Sequence, residues 1–408
     1  MRATRLIPAI AAVCLFTASD SFARIKLTTL PKRERVEIQL DNGRYTLVEE
    51  ERIVPLLKGD NRVDFSWSNT RVDKDSIQLR PIAIRRGGEF RPIQVIDGQP
   101  EVALIHVAYP PNENALVWSV SAGRACALKM RVSYLISNLG RSFSYRALAN
   151  KKETELTLKH YIQVRNYSGE DFGEAGVWAG FGPRFLKLIG HQTDVKMLVK
   201  RFHKVPIEKT FTFDWYQHGR LNPDKPFASR VLMHYRLRNT KRARLGEFPL
   251  QPGKVRIFIQ DGHGGEAFLG EDWTGLTPID GDMRLFLGQA RDIVCTRKIT
   301  RNRRHKVRGN LFNQELLITY EIENFKDTGA TIDIREQVNR LAQQYGTNPR
   351  GFSEWELGPE TTDELRITYE DGRTLPKLHI ALPARPKDQD AKVEKTLIQF
   401  HIIIKNLW

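Results

Sequence analysis

Apolar residues recur at every second position through much of this chain, and this period constrains the fold more than any other feature. In residues 315–324 (ELLITYEIEN), Leu316, Ile318, Tyr320 and Ile322 share one face, and polar side chains share the other. A period of two is typical of a β-strand with one buried face. Similar runs recur along the chain, so the sequence predicts many short strands.

Turn-forming residues separate these runs and favour an antiparallel arrangement. Asn42-Gly43 stands between two alternating runs, which is a strong short-range signal for a hairpin. The sequence DGHGG at 261–265 indicates another hairpin. A helical period is found only at 334–344. The predicted fold class is therefore all-β, with two or three antiparallel β-sandwich domains and at most one or two short helices.

The first 23 residues have the pattern of a secretory signal. Arg2 and Arg5 precede an apolar run, and small residues lead up to Ala23. We therefore expect cleavage near Ala23 and export to the periplasm or the extracellular space. No later apolar stretch approaches the about 20 residues that a spanning helix needs, so no transmembrane span is predicted.

A chain of 408 residues is long enough for two or three domains. Residues 1–23 form the predicted signal peptide. We place further boundaries near residues 129 and 247. They define an N-terminal β domain at 24–129, a middle β region at 130–247 and a C-terminal β-sandwich domain at 248–408.

The net charge of +16 favours anionic partners. Two basic clusters are the candidate anion- or polymer-binding sites. The first comprises Arg236, Arg238, Lys241, Arg242 and Arg244. The second is predicted to lie at the tip of a hairpin and comprises Arg297, Lys298, Arg301, Arg303, Arg304, Lys306 and Arg308.

Two interpretations of these clusters stay open. Their arginines are able to bind phosphates or carboxylates of an envelope polymer through forked hydrogen bonds. Alternatively, they form a solvated strand edge that prevents aggregation. Sequence-specific nucleic-acid binding is not predicted, because the sequence shows neither a recognition helix nor stacking aromatic residues.

Acidic residues crowd the region around Glu271. A hydrolase carboxylate pair and a calcium site both use such residues, but Asp and Glu in Gly-rich segments also form turns. No nucleophile elbow, phosphate-binding loop or HExxH motif is present. No catalytic residue, cofactor or metal ligand is therefore predicted. The alternative is a carbohydrate- or peptidoglycan-active hydrolase that uses loop carboxylates near Glu271.

Two cysteines follow the predicted signal, Cys126 and Cys295. In an oxidising compartment they are able to form one disulfide. The alternative is a pair of free thiols, since Cys295 lies in an apolar run. The sequence leaves both arrangements open.

Several segments together resemble the domain of unknown function 4139 family of mucoidy-inhibitor-A-like exported proteins. They are LGEFPLQPGKVRIFIQDG (245–262), FLGED (268–272), LGQARDI (287–293), VRNYSGEDF (164–172) and KVPIEKTFTFD (204–214). The resemblance implies an exported, mostly-β protein with immunoglobulin-like sandwiches, and it supplies no catalytic residues. The long coiled coil of many members is missing from this chain. We therefore expect a non-enzymatic cell-envelope protein that binds an envelope protein or an acidic surface polysaccharide.

Overall fold

The computed structural model describes residues 31–67, 69–96, 98–215, 227–346, 354–370, 375–386 and 392–408. β-Strands make up 66% of the structure, which confirms the predicted mostly β-sheet fold. Helix α1, Val338–Tyr345, is the one α-helix within these ranges. No helix in this described part of the chain has the length and hydrophobicity needed to cross a bilayer. The predicted signal segment lies outside the described residues.

The strands alternate with short turns along the whole described chain. The first group is β1 Arg33–Gln39, β2 Thr46–Leu56, β3 Gly59–Ser66, β4 Gln78–Arg86, β5 Glu89–Pro92, β6 Val95–Ile96, β7 Gln99–Pro100, β8 Val102–Ala108, β9 Ala115–Ala122, β10 Cys126–Ile136, β11 Leu139–Ala149, β12 Glu155–Asn166 and β13 Glu174–Trp178. The second group is β14 Phe185–Leu188, β15 Thr193–Pro206, β16 Glu208–Asp214, β17 Phe227–Arg238, β18 Gly253–Gln260, β19 Glu266–Thr274, β20 Asp282–Arg308, β21 Leu311–Asn324, β22 Ala330–Arg335, β23 Glu354–Leu357, β24 Arg366–Glu370, β25 Leu375–Leu382 and β26 Lys395–Leu407.

The chain divides into two compact units. The first contains the described residues of 1–140, 165–180 and 184–193, and the second contains those of 141–164, 181–183 and 194–408. Residues of the predicted middle region, 130–247, therefore belong to both units. The chain leaves the first unit after residue 140 and returns to it at residue 165. The amino-acid composition does not change at these positions, so the sequence did not indicate the crossing.

The first unit contains two main sheets. Its seven-stranded sheet has the order β14-β13-β1-β2-β10-β4-β5, and its three-stranded sheet has the order β3-β9-β8. The ring of Phe65 on β3 lies 5.9 Å from the ring of Tyr134 on β10. Both residues are buried, so this contact links the two sheets in the interior of the unit. The hairpin predicted at Asn42-Gly43 is present, because β1 pairs antiparallel with β2.

The second unit contains a five-stranded sheet with the order β15-β12-β11-β18-β19 and a nine-stranded sheet with the order β23-β26-β21-β20-β17-β16-β22-β25-β24. Strands β17 and β20 supply residues to two hydrophobic clusters. Tyr235 and Leu285 belong to the cluster that also contains residues of β11 and β18. Val231 and Ile293 belong to the cluster around β21, β26 and α1. The long strands therefore link both cores of this unit.

The prediction of purely antiparallel sheets is wrong at three of the strand pairs that the structure describes. Strands β1 and β13, β11 and β18, and β16 and β22 run parallel. Each pair joins strands that are distant in the sequence. A period of two fixes which face of a strand is buried, but it says nothing of the partner or its direction.

The predicted helix at 334–344 begins later than expected. Ile334 belongs to β22, where it pairs with Leu378, and it is fully buried in alternation with Ile332. Helix α1 begins at Val338 and buries Val338, Leu341 and Ala342. Ile334 fits the helical spacing of Val338 and Leu341 by coincidence, so the N-terminal part of the prediction is corrected to strand.

Candidate functional site

The first basic cluster lies around a single cleft in the second unit. Strand β17 carries Arg236 and Arg238, and the loop that follows it carries Arg242. These three arginines line a cleft of about 400 Å³, which we call the arginine cleft. The remainder of its lining is Pro206, Ile207, Glu208, Thr240 and Ala243. The sequence therefore identified three residues that the fold brings together.

Asn239, between Arg238 and the loop, holds the loop in place. Its side chain is buried, and Nδ2 donates to the carbonyl oxygens of Phe248, Thr277 and Pro278 over 3.1, 3.2 and 3.1 Å. Its Oδ1 accepts a 2.8 Å hydrogen bond from the backbone N–H of Gly246. A buried amide whose nitrogen and oxygen both make hydrogen bonds fixes the backbone around it.

Local turn chemistry sets the shape of the same loop. The carbonyl of Thr240 accepts 3.0 Å hydrogen bonds from the N–H groups of Ala243 and Leu245. Gly246 has a φ of 77°, and a Cβ there would lie 2.5 Å from the backbone nitrogen of Lys241. A residue with a side chain does not fit at this position. Leu245 is buried, so the loop is anchored while Lys241, Arg242 and Arg244 face solvent.

Two carboxylates balance part of the positive charge of the arginine cleft. Arg236 forms an ion pair with Glu208, and its Nη1 lies 4.0 Å from Oδ2 of Asp282. Nε of Arg238 lies 3.4 Å from Oδ1 of the same aspartate, while its side chain stays 65% exposed. Arg242 has no ion-pair partner among the described residues. Three guanidinium groups against two carboxylates leave the cleft net positive.

The second basic cluster forms a strand where a hairpin tip was predicted. Strand β20 continues to Arg308 and pairs with β21, so that Arg303 lies opposite Glu315 and Lys306 opposite Phe312. Pairing of β20 with β17 ends at Arg297. Beyond that point, no strand in the described ranges pairs with the other side of β20. We call this segment, residues 298–308, the basic edge.

The basic side chains of the basic edge differ in their contacts with other residues. Arg301 bonds to Glu360 and lies 3.3 Å from Glu315. The guanidinium of Arg304 lies 3.4 Å from the centre of the Phe312 ring. The exposed side chains without an ion-pair partner in the described part of the chain are those of Lys298, Arg303, Arg304, Lys306 and Arg308.

Arg297 does not belong to a binding surface, which corrects its assignment to the basic cluster. Its Nε donates to Oε1 of Glu336 over 2.7 Å, and its guanidinium lies 5.0 Å from the Trp215 ring centre. Both charged side chains are buried, and Tyr320 also donates to Glu336. Burial works against the charged form, but Glu336 raises the pKa of Arg297. Arg297 lies two residues after the buried Cys295, on the same face of the strand. The alternation of the sequence therefore already indicated that the side chain of Arg297 is buried.

The acidic residues around Glu271 are engaged in local structure. Glu271 lies on strand β19, not in a loop, and accepts hydrogen bonds or ion pairs from Lys254 at 2.6 Å and Arg256 at 3.0 Å. These two bonds lower the pKa of Glu271. Asp272 accepts from the backbone N–H groups of Trp273 and Phe286 over 2.8 and 2.7 Å. These contacts are those of carboxylates that stabilise a strand pair.

Both cysteines are free in this structure. Cys295 is buried on β20 opposite Ile322, and burial raises the pKa of its thiol. Cys126 begins β10 opposite Leu56 and is partly exposed. Among the described residues, no three His, Cys, Asp or Glu side chains lie together in a way that would hold a metal ion.

Sequence reasoning missed Asn239 and the two carboxylates of the arginine cleft. Glu208 and Asp282 lie far from the arginines in the sequence, so only strand pairing brings them close: Glu208 pairs with Arg236, and Asp282 with Arg238. Asn239 did carry a signal, because it is an uncharged polar residue at the end of a strand and within a basic run. Such a position is typical of an amide that bonds the backbone of a turn.

No protein-family model matches this chain, and no curated protein matches it in sequence. The resemblance to the domain of unknown function 4139 family therefore stays a prediction. The geometry of the arginine cleft and the charge of its residues support a functional proposal.

Proposed function

We propose that this protein is an exported, non-enzymatic protein of the cell envelope that binds an acidic polysaccharide, or an acidic envelope protein, through the arginine cleft. The observation that supports this proposal is that Arg236, Arg238 and Arg242 line one cleft, next to a loop that Asn239 holds in place. We further propose that the sandwiches are immunoglobulin-like, as the family resemblance implies.

The chemistry of the cleft suits a carboxylate or sulfate group on a sugar ring. A guanidinium group binds such anions with two parallel hydrogen bonds. Pro206, Ile207 and Ala243 add apolar surface for the ring carbons. An incoming anion replaces Glu208 and Asp282 as the partner of Arg236 and Arg238, and the loop needs no reordering. A preformed site loses less entropy on binding.

The test is affinity for immobilised heparin and for alginate, measured with the full chain at several salt concentrations. We expect Arg238→Ser/Arg242→Ser to weaken binding by about 10-fold or more at 0.1 M salt, because close contacts are lost and not only long-range attraction. The charge-matched control Arg44→Ser/Arg91→Ser removes two exposed arginines from the first unit. It should change the affinity by less than about threefold.

Two outcomes would contradict the proposal. Equal losses in both double variants would mean that net charge alone binds the polymer and that the arginine cleft has no special role. Hydrolysis of a glycan panel that Glu271→Gln abolishes would favour the hydrolase interpretation instead. Export is tested separately by N-terminal sequencing of the protein from an envelope fraction, where a start just after Ala23 is expected.

A further inference from the structure

A second cleft lies in the first unit and carries a different chemistry. It has a volume of about 550 Å³, within the range of about 300–1,000 Å³ typical of small-molecule sites. One wall is the segment that joins β8 to β9, residues 109–114, and the other follows β3. We call it the tyrosine cleft, after Tyr109, a half-exposed residue of its lining.

Both walls of the tyrosine cleft are held by backbone hydrogen bonds. The N–H of Trp67 donates to the carbonyl of Asn114 over 2.9 Å, which ties one wall to the other. Thr70 donates to the carbonyl of Trp67 through its N–H and its hydroxyl, over 3.3 and 2.9 Å. Pro110 and Pro111 restrict the remaining wall, since each ring fixes its own φ. The cleft is therefore preformed.

The groups that face the tyrosine cleft suit an uncharged ligand with many hydroxyls. The side chains of Asn112, Asn114 and Lys74 are exposed and have no hydrogen-bond partner within the described ranges. An amide both donates and accepts, as a sugar hydroxyl does. Lys74 and Glu113 both line the cleft, so its lining carries one positive and one negative side chain. This balance separates the site from the arginine cleft.

Tyr109 supplies the remaining element of a sugar site. The residue is 51% exposed and lines the cleft together with these amides, although a large aromatic residue usually buries most of its surface. The C–H face of a pyranose ring covers such a surface, while its hydroxyls reach groups at the side. An exposed ring bordered by unpartnered polar groups is the arrangement that this ligand requires.

We propose that the tyrosine cleft binds a neutral oligosaccharide of two or three sugar units, with one pyranose ring stacked on Tyr109 and its hydroxyls bonded to Asn112 and Asn114. The site is independent of the arginine cleft.

The experiment is calorimetric titration of the full chain with neutral trisaccharides: maltotriose, cellotriose and triacetylchitotriose. At least one should bind with a millimolar or tighter Kd. Tyr109→Ala should weaken that binding by about 10-fold, as loss of a central aromatic contact usually does. Tyr109→Phe keeps the ring and should retain most of the affinity. The control Tyr167→Ala removes another half-exposed tyrosine of the same unit and should have no effect.

Each result bears on this site alone. Arg238→Ser/Arg242→Ser should leave trisaccharide binding unchanged even if it abolishes polyanion binding, so the two proposals fail separately. No binding by any of the three trisaccharides at about 10 mM, about tenfold above a millimolar dissociation constant, would overturn the assignment. Equal affinity of the wild type and a folded Tyr109→Ala would also overturn it. Unchanged circular dichroism of the variants establishes that they fold.

Discussion

The hydroxyl of Tyr134 donates a 2.6 Å hydrogen bond to Oε1 of Glu50, a carboxylate that is fully buried in the first unit. Arg33 lies 2.9 Å from the same oxygen, and Arg52 donates to Oε2 over 2.7 Å. The second unit repeats these residue types, because its buried Glu336 accepts from an arginine and a tyrosine. Each unit thus contains a buried carboxylate whose charge is matched and whose oxygens are hydrogen-bonded.

Loss of the Glu50 charge should destabilise the first unit strongly. In Glu50→Gln, the guanidinium groups of Arg33 and Arg52 lose their shared counter-ion in a low-dielectric interior. Removing one member of a buried ion pair typically costs about 3–5 kcal/mol. Urea denaturation followed by tryptophan fluorescence measures the change. Glu89→Gln, at a 77% exposed side chain, is the control and should unfold like the wild type. Equal midpoints for both variants would contradict the assigned role.

The same carboxylate predicts how stability depends on pH. Burial alone would raise the pKa of Glu50, but Arg33, Arg52 and the Tyr134 hydroxyl outweigh it and hold the pKa below the ordinary 4.5. The stabilisation is therefore complete above pH 4.5 and is lost as the pH falls through the lower, folded-state pKa. The difference in unfolding free energy between wild type and Glu50→Gln should shrink in acid. A difference that is constant from pH 7 to pH 3 would argue against this charge effect.

The local pattern predicted buried faces well and long-range partners poorly. Leu316, Ile318, Tyr320 and Ile322 are all fully buried, as the alternation of β21 required. The bond from Tyr320 to Glu336 was not predictable, because strand order brings it about and no local period encodes strand order. The two cases differ in the distance over which the determining residues act. The direction of a side chain depends on its own strand, whereas strand pairing depends on the whole fold.

The same reasoning applies to the arginine cleft. Its arginines were predicted from a basic run in the sequence, but the cleft itself depends on Glu208 and on the loop bonds of Asn239. Glu208 lies one strand away, and strand β16 places it beside Arg236. A basic run indicates where positive charge lies, and only the fold shows which of its charges converge.

His160 should be a destabilising residue below neutral pH. Its ring is buried and stacks on Tyr145 at 4.4 Å, and neither ring nitrogen has a hydrogen-bond partner among the described residues. Burial lowers the pKa of His160 to about 3, from an ordinary value of 6.5. Between these values the unfolded chain takes up a proton that the folded chain does not. Stability should therefore rise with pH from about 3 to 6.5.

His160→Phe is the test of that expectation. The new ring fits a cluster that already contains Phe143, Phe181 and Phe248. It removes two unsatisfied polar atoms, for which a gain of about 1–3 kcal/mol is usual. Thermal unfolding from pH 4 to pH 7 should show a smaller pH slope in the variant than in the wild type. Identical slopes would mean that other groups cause the pH dependence.

Asn239→Ala should weaken polyanion binding although it removes no charge. The substitution deletes the bonds that hold the loop after β17, including those to Gly246 and Phe248. The guanidinium of Arg242 then has to be ordered at the moment of binding, at a cost in entropy. Heparin affinity at constant salt is the measurement, with Asn302→Ala, at an exposed position of the basic edge, as the control. An unchanged affinity would show that preorganisation of this loop is unimportant.

The basic edge offers the last prediction, because its two interpretations give opposite results. Under the strand-edge interpretation, the charges of Arg303, Arg304 and Lys306 on β20 keep this segment from pairing with other chains. Arg303→Ser/Arg304→Ser/Lys306→Ser should therefore increase light scattering as the protein is concentrated.

Lys241→Ser/Arg242→Ser/Arg244→Ser is the matched control for that variant, since it removes the same charge from a loop of the same unit. We expect the loop variant to scatter light like the wild type and to lose polyanion affinity, because the loop contributes to the arginine cleft but exposes no strand edge. The edge variant should self-associate and keep most of its affinity. If instead the edge variant stays dispersed and loses affinity, the polymer binds along β20, and the arginine cleft is not its main site.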